Sequence, residues 1–219
     1  MSKKRARKIK LFLFDVDGVL TDGKLFFLPL PADGEQHVEA SSGKGFKQLD
    51  SGADIQGAIE FKGFNAHDGA GISMAKLAGL KTGLITKRTS RTVELRARDL
   101  KLDHVYQGIH DKLSAFQEII KAEGIHASEA AYVGDDVVDL PVMRNCGLAI
   151  AVANARKEVK DEAHWVTANS GGNGAVRDAL EYILKAQGRW KQVVNQYIGK
   201  EVQKPNQTRR SRRENLKSK

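Results

Sequence analysis

The sequence contains a single cysteine, Cys146, so no disulfide can form within the chain. Its apolar neighbours, Met143, Leu148 and Ile150, favour a buried, inert thiol over a nucleophile. Apolar runs are short, and none approaches the roughly 20 residues that a helix needs to cross a bilayer. The basic N-terminus leads into a short strand rather than into the apolar region of a signal peptide. We therefore expect a cytoplasmic protein with no membrane association.

Acidic side chains are scarce at the two ends of the chain, and this scarcity explains the net charge of +9. Residues 1–10 and 200–219 each carry +6, which leaves −3 for the 189 residues between them. The length and the composition, 41% hydrophobic and 29% charged, suit one globular domain. We predict a basic tail over 1–8, a domain over 9–199 and a basic tail over 200–219. A nucleic-acid-associated protein that uses these tails is an alternative, although neither tail interleaves aromatic residues with its charges.

Segments of helical periodicity alternate with short apolar runs from residue 69 to residue 186. This alternation predicts an α/β fold with three layers, in which a parallel sheet carries helices on both faces. Two runs nearer the N-terminus, 24–28 and 58–62, predict the strands of a hairpin. Between them, the polar stretch over 29–57 shows almost no periodicity and is interpreted as an insertion that lengthens the hairpin.

Two carboxylates, Asp15 and Asp17, directly follow the apolar run 9–14, which predicts a buried strand. Gly18 then provides a turn. Alternation along an extended chain places both carboxylates on one side at the carboxyl end of the strand, where open α/β sheets bind ligands. Two acids this close repel each other, so they need a cation. A solvated turn accounts for one such aspartate, but not for two that are flanked by Val and Leu.

Three further polar segments follow later predicted strands, so the fold brings them to the same edge of the sheet. They are Thr86-Lys87-Arg88, Asp111-Lys112, and the run from Gly134 to Asp139 that includes Asp135 and Asp136. Each has a plain structural alternative: Thr86 as a helix-start residue, Lys112 as a surface lysine, Asp136 as an N-cap. Together with Asp15 they supply a nucleophile, a hydroxyl, a cation and carboxylates for a hard metal ion. Those are the requirements of phosphoryl transfer.

The four segments resemble the motifs of the haloacid dehalogenase superfamily of phosphohydrolases. The sequence is more closely similar to the cap-less subfamily of 3-deoxy-D-manno-octulosonate 8-phosphate phosphatases. That likeness is carried by His67-Asp-Gly-x-Gly-Ile, Gln107-Gly-x-x-Asp-Lys and Gly171-Gly-x-Gly-Ala-Val-Arg. The resemblance covers residues 9–190 apart from most of 29–57. It implies a Rossmann-like sheet with a β-hairpin flap and no large cap domain.

The resemblance also implies a Mg²⁺-dependent phosphatase that acts through an aspartyl-phosphate intermediate. Asp15 would be the nucleophile, and Asp17 would protonate the leaving alcohol and then deprotonate the hydrolytic water. The metal would bind the Asp15 side chain, the main-chain carbonyl of Asp17, and Asp135. The remaining implied roles are contact with the phosphoryl group by Thr86 and Lys112, and support of the metal site by Asp136 and Asp139.

The substrate implied by the resemblance is the 8-phosphate of an eight-carbon keto-sugar acid in lipopolysaccharide synthesis. Candidate substrate-binding residues are Thr21, His67, Lys87 and Arg88. Lys87 departs from the glycine usual in the subfamily, and it either reaches the substrate carboxylate or points to solvent. A phosphatase for nine-carbon sialic-acid-type 9-phosphates is the alternative enzyme. The resemblance further implies a homotetramer in which the hairpin, 24–62, covers a neighbouring active site.

Overall fold

The computed structural model describes residues 2–29 and 58–199. The basic tail predicted over 200–219 and nearly all of the insertion predicted over 29–57 lie outside the described residues. Within the described ranges, no helix combines the length and the apolar character that crossing a membrane requires.

The strands form a six-stranded parallel sheet and a separate antiparallel hairpin. They are β1 (Leu11–Phe14), β2 (Phe26–Pro29), β3 (Ala58–Phe61), β4 (Lys81–Ile85), β5 (His104–Tyr106), β6 (Ala130–Gly134), β7 (Leu148–Ala151) and β8 (Trp165–Val166). The sheet has the order β5-β4-β1-β6-β7-β8, and each neighbouring pair is parallel. The hairpin pairs β2 with β3.

Two groups of helices pack beside the sheet. They are α1 (Ser2–Ala6), α2 (Ala66–Leu77), α3 (Arg91–Asp99), α4 (Lys112–Glu123), α5 (Leu140–Met143), α6 (Lys157–Glu162), α7 (Ala175–Ala186) and α8 (Trp190–Tyr197). Helices α1, α2 and α8 pack on α7 or on each other, and α5 packs between α4 and α6. The predicted α/β fold, a parallel sheet flanked by helices, is confirmed.

The central position of β1 sets the location of the site. All four residues of β1 are buried, because the strand lies between β4 and β6 with helices over the sheet. Parallel strands end at the same edge of a sheet, so the segments that follow β1, β4 and β6 are neighbours. Those segments begin with Asp15, Thr86 and Asp135.

The helix that follows β5 shows how local sequence fixes an element next to this edge. Asp111 is the N-cap of α4, and its carboxylate accepts from the N–H groups of Leu113 and Ser114, both at 3.1 Å. Gly124 ends the helix in the left-handed conformation, with a φ of +63°. The cap places Lys112 in the first turn of α4, at the edge where β1 ends.

The first residues differ from the predicted basic tail. Residues Ser2–Ala6 form a helix, and Ala6 is fully buried. Gln187 donates from Nε2 to the carbonyl of Ile9 at 2.8 Å, and the Tyr182 hydroxyl donates to Ser2 Oγ at 2.7 Å. Contacts to α7 and its C-terminal end, remote in sequence, therefore order this segment against the domain.

The predicted hairpin is present, and its apolar side chains lie largely outside the core. Phe26 is the register partner of Phe61, and their rings stack with centroids 5.6 Å apart. The next partners on the strands include Leu28 and Ile59, which are 56% and 50% exposed. The hairpin thus presents apolar surface that the rest of the described chain does not cover.

Candidate active site

The loop after β1 brings Asp15 and Asp135 together at the carboxyl edge of the sheet. Phe14 and Val133 are register partners in β1 and β6, so the residues after them are neighbours. Gly18 has a φ of +90°, and a Cβ there would lie 2.1 Å from Asp135 Oδ2. Glycine is therefore required at position 18 both by the turn and by the close approach of Asp135.

Three carboxylates at this edge, those of Asp15, Asp135 and Asp139, offer oxygens within 4.8 Å of one another. Burial and the charge of Asp139 raise the pKa of Asp15 to about 6, against the attraction of Lys112. Burial and the charges of Asp139 and Asp15 raise the pKa of Asp135 to about 7. The protein alone therefore holds the carboxylates of Asp15 and Asp135 in an environment that disfavours their charge, which a bound cation would offset.

Lys112 is the buried cation next to this cluster. Its Nζ lies 3.0 Å from Asp15 Oδ2 and donates to Asp139 Oδ1 at 2.8 Å. Burial acts to lower the pKa of Lys112, but the attraction of Asp15 and Asp139 outweighs it and raises the pKa above its usual value. Lys112 therefore stays charged at neutral pH, and it is not the surface lysine of the alternative interpretation.

Asp139 uses both of its oxygens to hold the site together. Oδ1 accepts from Lys112 and from the buried Tyr132 hydroxyl, at 2.8 Å each. Oδ2 accepts from the N–H groups of Asp135 at 3.0 Å and Asp136 at 3.3 Å. Because both of its oxygens accept hydrogen bonds, Asp139 is placed to fix Lys112 and the loop that carries Asp135.

The remaining carboxylate oxygens fit a divalent cation. Asp15 Oδ1 and Asp135 Oδ1 are buried, and neither has a hydrogen-bond partner in the described structure. A buried oxygen of this kind is costly unless it is hydrogen-bonded or coordinated. Mg²⁺ is typically held by one or two carboxylates together with water and phosphate oxygens. The residues at this edge therefore fit a magnesium ion between Asp15 and Asp135.

Asp17 lies beside this cluster and contacts two cations from other parts of the chain. Lys62, which directly follows β3, places Nζ 2.5 Å from Asp17 Oδ1. Arg88, in the loop after β4, places Nε 3.6 Å from Asp17 Oδ2. Lys62 is a residue of the site that the sequence did not reveal.

The segment after β4 divides into a buried and an exposed part. Thr86 is buried, its N–H donates to the carbonyl of Tyr106 at 2.9 Å, and its carbonyl accepts from Ile109 N at 3.0 Å. Lys87 and Arg88 are exposed. The backbone contacts fix Thr86 at the sheet edge, and two exposed cations follow it in the chain.

Three other predicted residues take different positions. Thr21 is buried, and its hydroxyl donates to the carbonyl of Val16 at 3.3 Å. His67 is exposed in the first turn of α2. Asp136 is exposed and is the N-cap of the short 3₁₀ turn Val137–Asp139, as in its structural alternative. Among these, Thr21 shapes the loop after β1 through its own hydrogen bond.

Asn154 joins two loops of the site, and no feature of the sequence had indicated it. Its Nδ2 donates to the carbonyl of Gly18 at 3.2 Å, and its Oδ1 accepts from Gly171 N at 2.6 Å. A Cβ on Gly171 would lie 1.8 Å from the carbonyl oxygen of Gly18. The glycine-rich segment before α7 therefore supports the loop after β1.

Comparison with known proteins agrees with this fold. A family model described as haloacid dehalogenase-like hydrolase matches residues 83–180, which include Thr86, Lys112 and Asp135. The chain belongs to the haloacid dehalogenase-like hydrolases. One similar curated protein is the 3-deoxy-D-manno-octulosonate 8-phosphate phosphatase KdsC of Escherichia coli strain K12. It is 36% identical over 194 residues, which are 89% of each chain.

Solved structures of phosphatases with that name are also similar. The Moraxella catarrhalis structure, a complex with magnesium ion, phosphate ion and KDO, has a TM-score of 0.73 and 34% identity. That comparison covers 89% of this chain and 97% of the other. The Yersinia pestis structure has a TM-score of 0.72 and 35% identity, covering 87% of this chain and 88% of the other.

Proposed function

We propose that this chain is a Mg²⁺-dependent phosphomonoester hydrolase that acts on 3-deoxy-D-manno-octulosonate 8-phosphate. The observation that carries the proposal is the buried contact of 3.0 Å between Lys112 Nζ and Asp15 Oδ2, beside unpartnered oxygens of Asp15 and Asp135. This arrangement places the nucleophilic carboxylate of Asp15 beside the positive charge of Lys112 and beside oxygens that suit a metal ion. Positive charge of this kind neutralises a phosphate dianion. The choice of substrate is supported by relatives of that name at 36% identity over 89% of the chain.

The chemistry assigned to the two leading carboxylates has two steps. An oxygen of Asp15 bonds to phosphorus as the bond from phosphorus to the ester oxygen breaks. Asp17 donates a proton to this ester oxygen. The sugar acid then leaves as an alcohol. In the second step Asp17 takes a proton from water, whose oxygen attacks phosphorus and releases Asp15 and inorganic phosphate. The covalent intermediate divides one difficult displacement into two easier ones.

The other residues supply charge and position. Lys112 neutralises the phosphoryl oxygens, and Thr86 hydrogen-bonds to them. Mg²⁺, held by Asp15, Asp135 and the main-chain carbonyl of Asp17, supplies further neutralisation of the phosphoryl charge. The supporting roles belong to Asp139, through its contacts to Lys112 and the 135–136 amides, and to Asp136.

Recognition of the sugar acid is assigned to the exposed residues around the site. Arg88 lies beside Asp17 and Lys87 is the exposed cation next to it in the chain, and both suit the carboxylate of the substrate. His67 at the start of α2 would contact the sugar, and Thr21 would act by fixing the loop after β1.

A homotetramer assembled through the hairpin is part of the proposal, as is a cytoplasmic location. The hairpin exposes several large apolar residues: Leu25, Phe26, Phe27, Leu28, Ile59 and Phe61. Contiguous apolar patches of this kind mark interaction sites in soluble proteins. Ile59→Glu should therefore lower the mass measured by sedimentation equilibrium. An unchanged tetramer in that variant, or a wild-type monomer with full activity, would contradict the assembly.

The function is tested with the purified chain and a panel of esters in Mg²⁺. The panel holds 3-deoxy-D-manno-octulosonate 8-phosphate, a nine-carbon sialic-acid-type 9-phosphate and 4-nitrophenyl phosphate. We expect phosphate release from all three and the highest kcat/KM for the eight-carbon substrate. A preference for the nine-carbon ester would correct the substrate but not the reaction class. No phosphate release from any ester would refute the proposal.

A further inference from the structure

The lysine at the end of the hairpin is buried in an unusual way. The Lys62 side chain is 0% exposed, with Nζ 2.5 Å from Asp17 Oδ1 and 3.4 Å from Glu60 Oε1. Lysine is almost never buried unless it is paired, because removing its ammonium group from water is costly. A lysine that served only to cover apolar surface would keep its charged end in solvent. The Lys62 ammonium group is therefore held by the carboxylates of Asp17 and Glu60 and not by solvent.

Glu60 fixes the lysine by tying β3 to the segment after β4. Its Oε1 accepts from Arg88 Nη2 at 3.0 Å, and its Oε2 accepts from the Ser90 hydroxyl at 2.5 Å. Its main-chain carbonyl accepts from the Thr92 hydroxyl at 3.1 Å. These contacts anchor the base of the hairpin to the start of α3 within one chain. The hairpin therefore delivers Lys62 to the chain's own Asp17.

We propose that Lys62 and Glu60 are positioning residues that hold the Asp17 carboxyl group at the ester oxygen. This inference rests on the proposed function, in which Asp17 transfers the proton. An Asp side chain rotates about two bonds, and the Lys62 contact at one oxygen, with Arg88 near the other, restricts both. Misplacement of a catalytic group by about 1 Å can cost on the order of 10²-fold in rate.

The dependence of rate on the leaving group separates positioning from other roles. When Asp17 delivers its proton correctly, little negative charge develops on the ester oxygen, and kcat/KM depends weakly on the leaving-group pKa. When the proton is not delivered, kcat/KM falls more for phenyl phosphate than for 4-nitrophenyl phosphate, whose leaving group needs no proton. These two esters are similar in size, and neither carries the sugar acid. A residue that only binds the sugar or only stabilises the hairpin would leave their ratio unchanged.

The experiment measures kcat/KM for a series of substituted phenyl phosphates in saturating Mg²⁺. For Lys62→Met we expect the loss on phenyl phosphate to exceed that on 4-nitrophenyl phosphate by at least about tenfold, within the 10²–10⁴-fold range of general acid catalysis. Asp17→Asn should show the same steepening, Glu60→Gln a smaller one, and Lys62→Arg should recover part of the wild-type dependence. Lys81→Met is the matched control, because Lys81 pairs with Asp103, 3.3 Å away, at the opposite edge of the sheet.

The outcomes are distinguishable. If the wild-type enzyme is active and Lys62→Met and Glu60→Gln show the same leaving-group dependence as wild type, the positioning role is overturned. The proposed function then remains intact. A loss confined to the sugar-acid substrate would also overturn it, in favour of substrate binding. A wild-type chain that hydrolyses none of the esters would overturn the proposed function and this inference together. If Lys62→Met fails to fold, Glu60→Gln and Lys62→Arg decide the question alone.

Discussion

Lys112 Nζ lies 3.0 Å from Asp15 Oδ2, and the two side chains are only 2% and 8% exposed. Asp139 holds the same ammonium group from another side, at 2.8 Å. The cation is therefore fixed beside the oxygen that we assign as the nucleophile. Such a cation lets a phosphate dianion approach a carboxylate that is itself negatively charged.

Replacing Lys112 with methionine should lower kcat about 10²–10³-fold, the range seen when one charge-stabilising donor is removed from an active site. Methionine keeps most of the apolar stem but removes the ammonium group. Steady-state kinetics with the eight-carbon substrate in saturating Mg²⁺ measures the loss. Lys121→Met, an exposed lysine on the same helix, is the control and should behave as wild type. A wild-type kcat in Lys112→Met would contradict the role.

Asp139→Asn should destabilise the fold by about 3 kcal/mol, because it breaks a buried ion pair and turns an amide N–H₂ group toward existing donors. Asp139 is fully buried and accepts from Lys112, Tyr132 and two N–H groups. The free energy of unfolding from urea titrations measures the change. Asp136→Asn, in the same loop but exposed, should change it little, because Asn is as good an N-cap as Asp. Equal stability of the two variants would contradict the account of Asp139.

Magnesium should stabilise the protein as well as activate it. A ligand at 100 times its Kd, bound only by the folded state, adds about 2.7 kcal/mol. We expect Tm to rise with Mg²⁺, to fall back with EDTA, and to be insensitive to Mg²⁺ in Asp135→Asn. Calcium should bind but inhibit, because its looser coordination disturbs the in-line geometry. Full activity in excess EDTA would show that the metal is not required.

Asp68 should make stability fall as pH rises. Its side chain is fully buried, and its Oδ1 accepts from Arg177 N at 2.8 Å. Burial raises its pKa from 3.8 to about 6, against the opposing hydrogen bonds. The folded state thus binds the proton more tightly than the unfolded state, and stability is lost as pH rises from about 4 to about 6. A shift of this size corresponds to at most about 3 kcal/mol.

The asparagine variant isolates this effect, because it keeps an acceptor oxygen and cannot ionise. Urea titrations at pH 4.5 and pH 7.5 should show a smaller loss of stability with pH in Asp68→Asn than in wild type. Asp161→Asn, an exposed carboxylate on α6, is the control and should follow wild type. The same loss of stability in wild type and Asp68→Asn would rule out the buried carboxyl group as its source.

Much of the fold was predictable because its elements are periodic and their ends carry clear signals. The helix over 112–123 belongs to the alternating segments that the sequence predicts, and Asp111 and Gly124 set its ends. The same strand pattern explains why Asp15 and Asp135 were correctly expected at one edge: topology alone places them there. Helix α2 begins at Ala66, before residue 69 where the predicted alternation starts, because Asn65 caps it.

The unpredicted features depend on contacts between residues remote in sequence. Lys62 lies 45 residues from its partner Asp17, and a lysine after a strand is usually exposed. Asn154 contacts Gly18 across 136 residues. Helix α1 consists mainly of cations, and only its docking on α7 orders it. Tyr132 is a polar residue within an apolar run, which is a local signal that its hydroxyl has a buried partner. That partner is Asp139, which accepts a hydrogen bond from the Tyr132 hydroxyl.

Trapping the covalent intermediate tests the central claim, that Asp15 is the nucleophile of a phosphatase, most directly. The enzyme is mixed with substrate and Mg²⁺, quenched in acid within milliseconds, reduced with borohydride, digested and analysed by mass spectrometry. Borohydride converts an aspartyl phosphate to homoserine, so we expect homoserine at position 15 in wild type and none in Asp15→Asn. Asp17→Asn should accumulate more of the aspartyl phosphate, and so yield more homoserine, when the substrate has a good leaving group that allows the first step. Rapid turnover with Asp15 unmodified, or wild-type rates in Asp15→Asn, would contradict the claim.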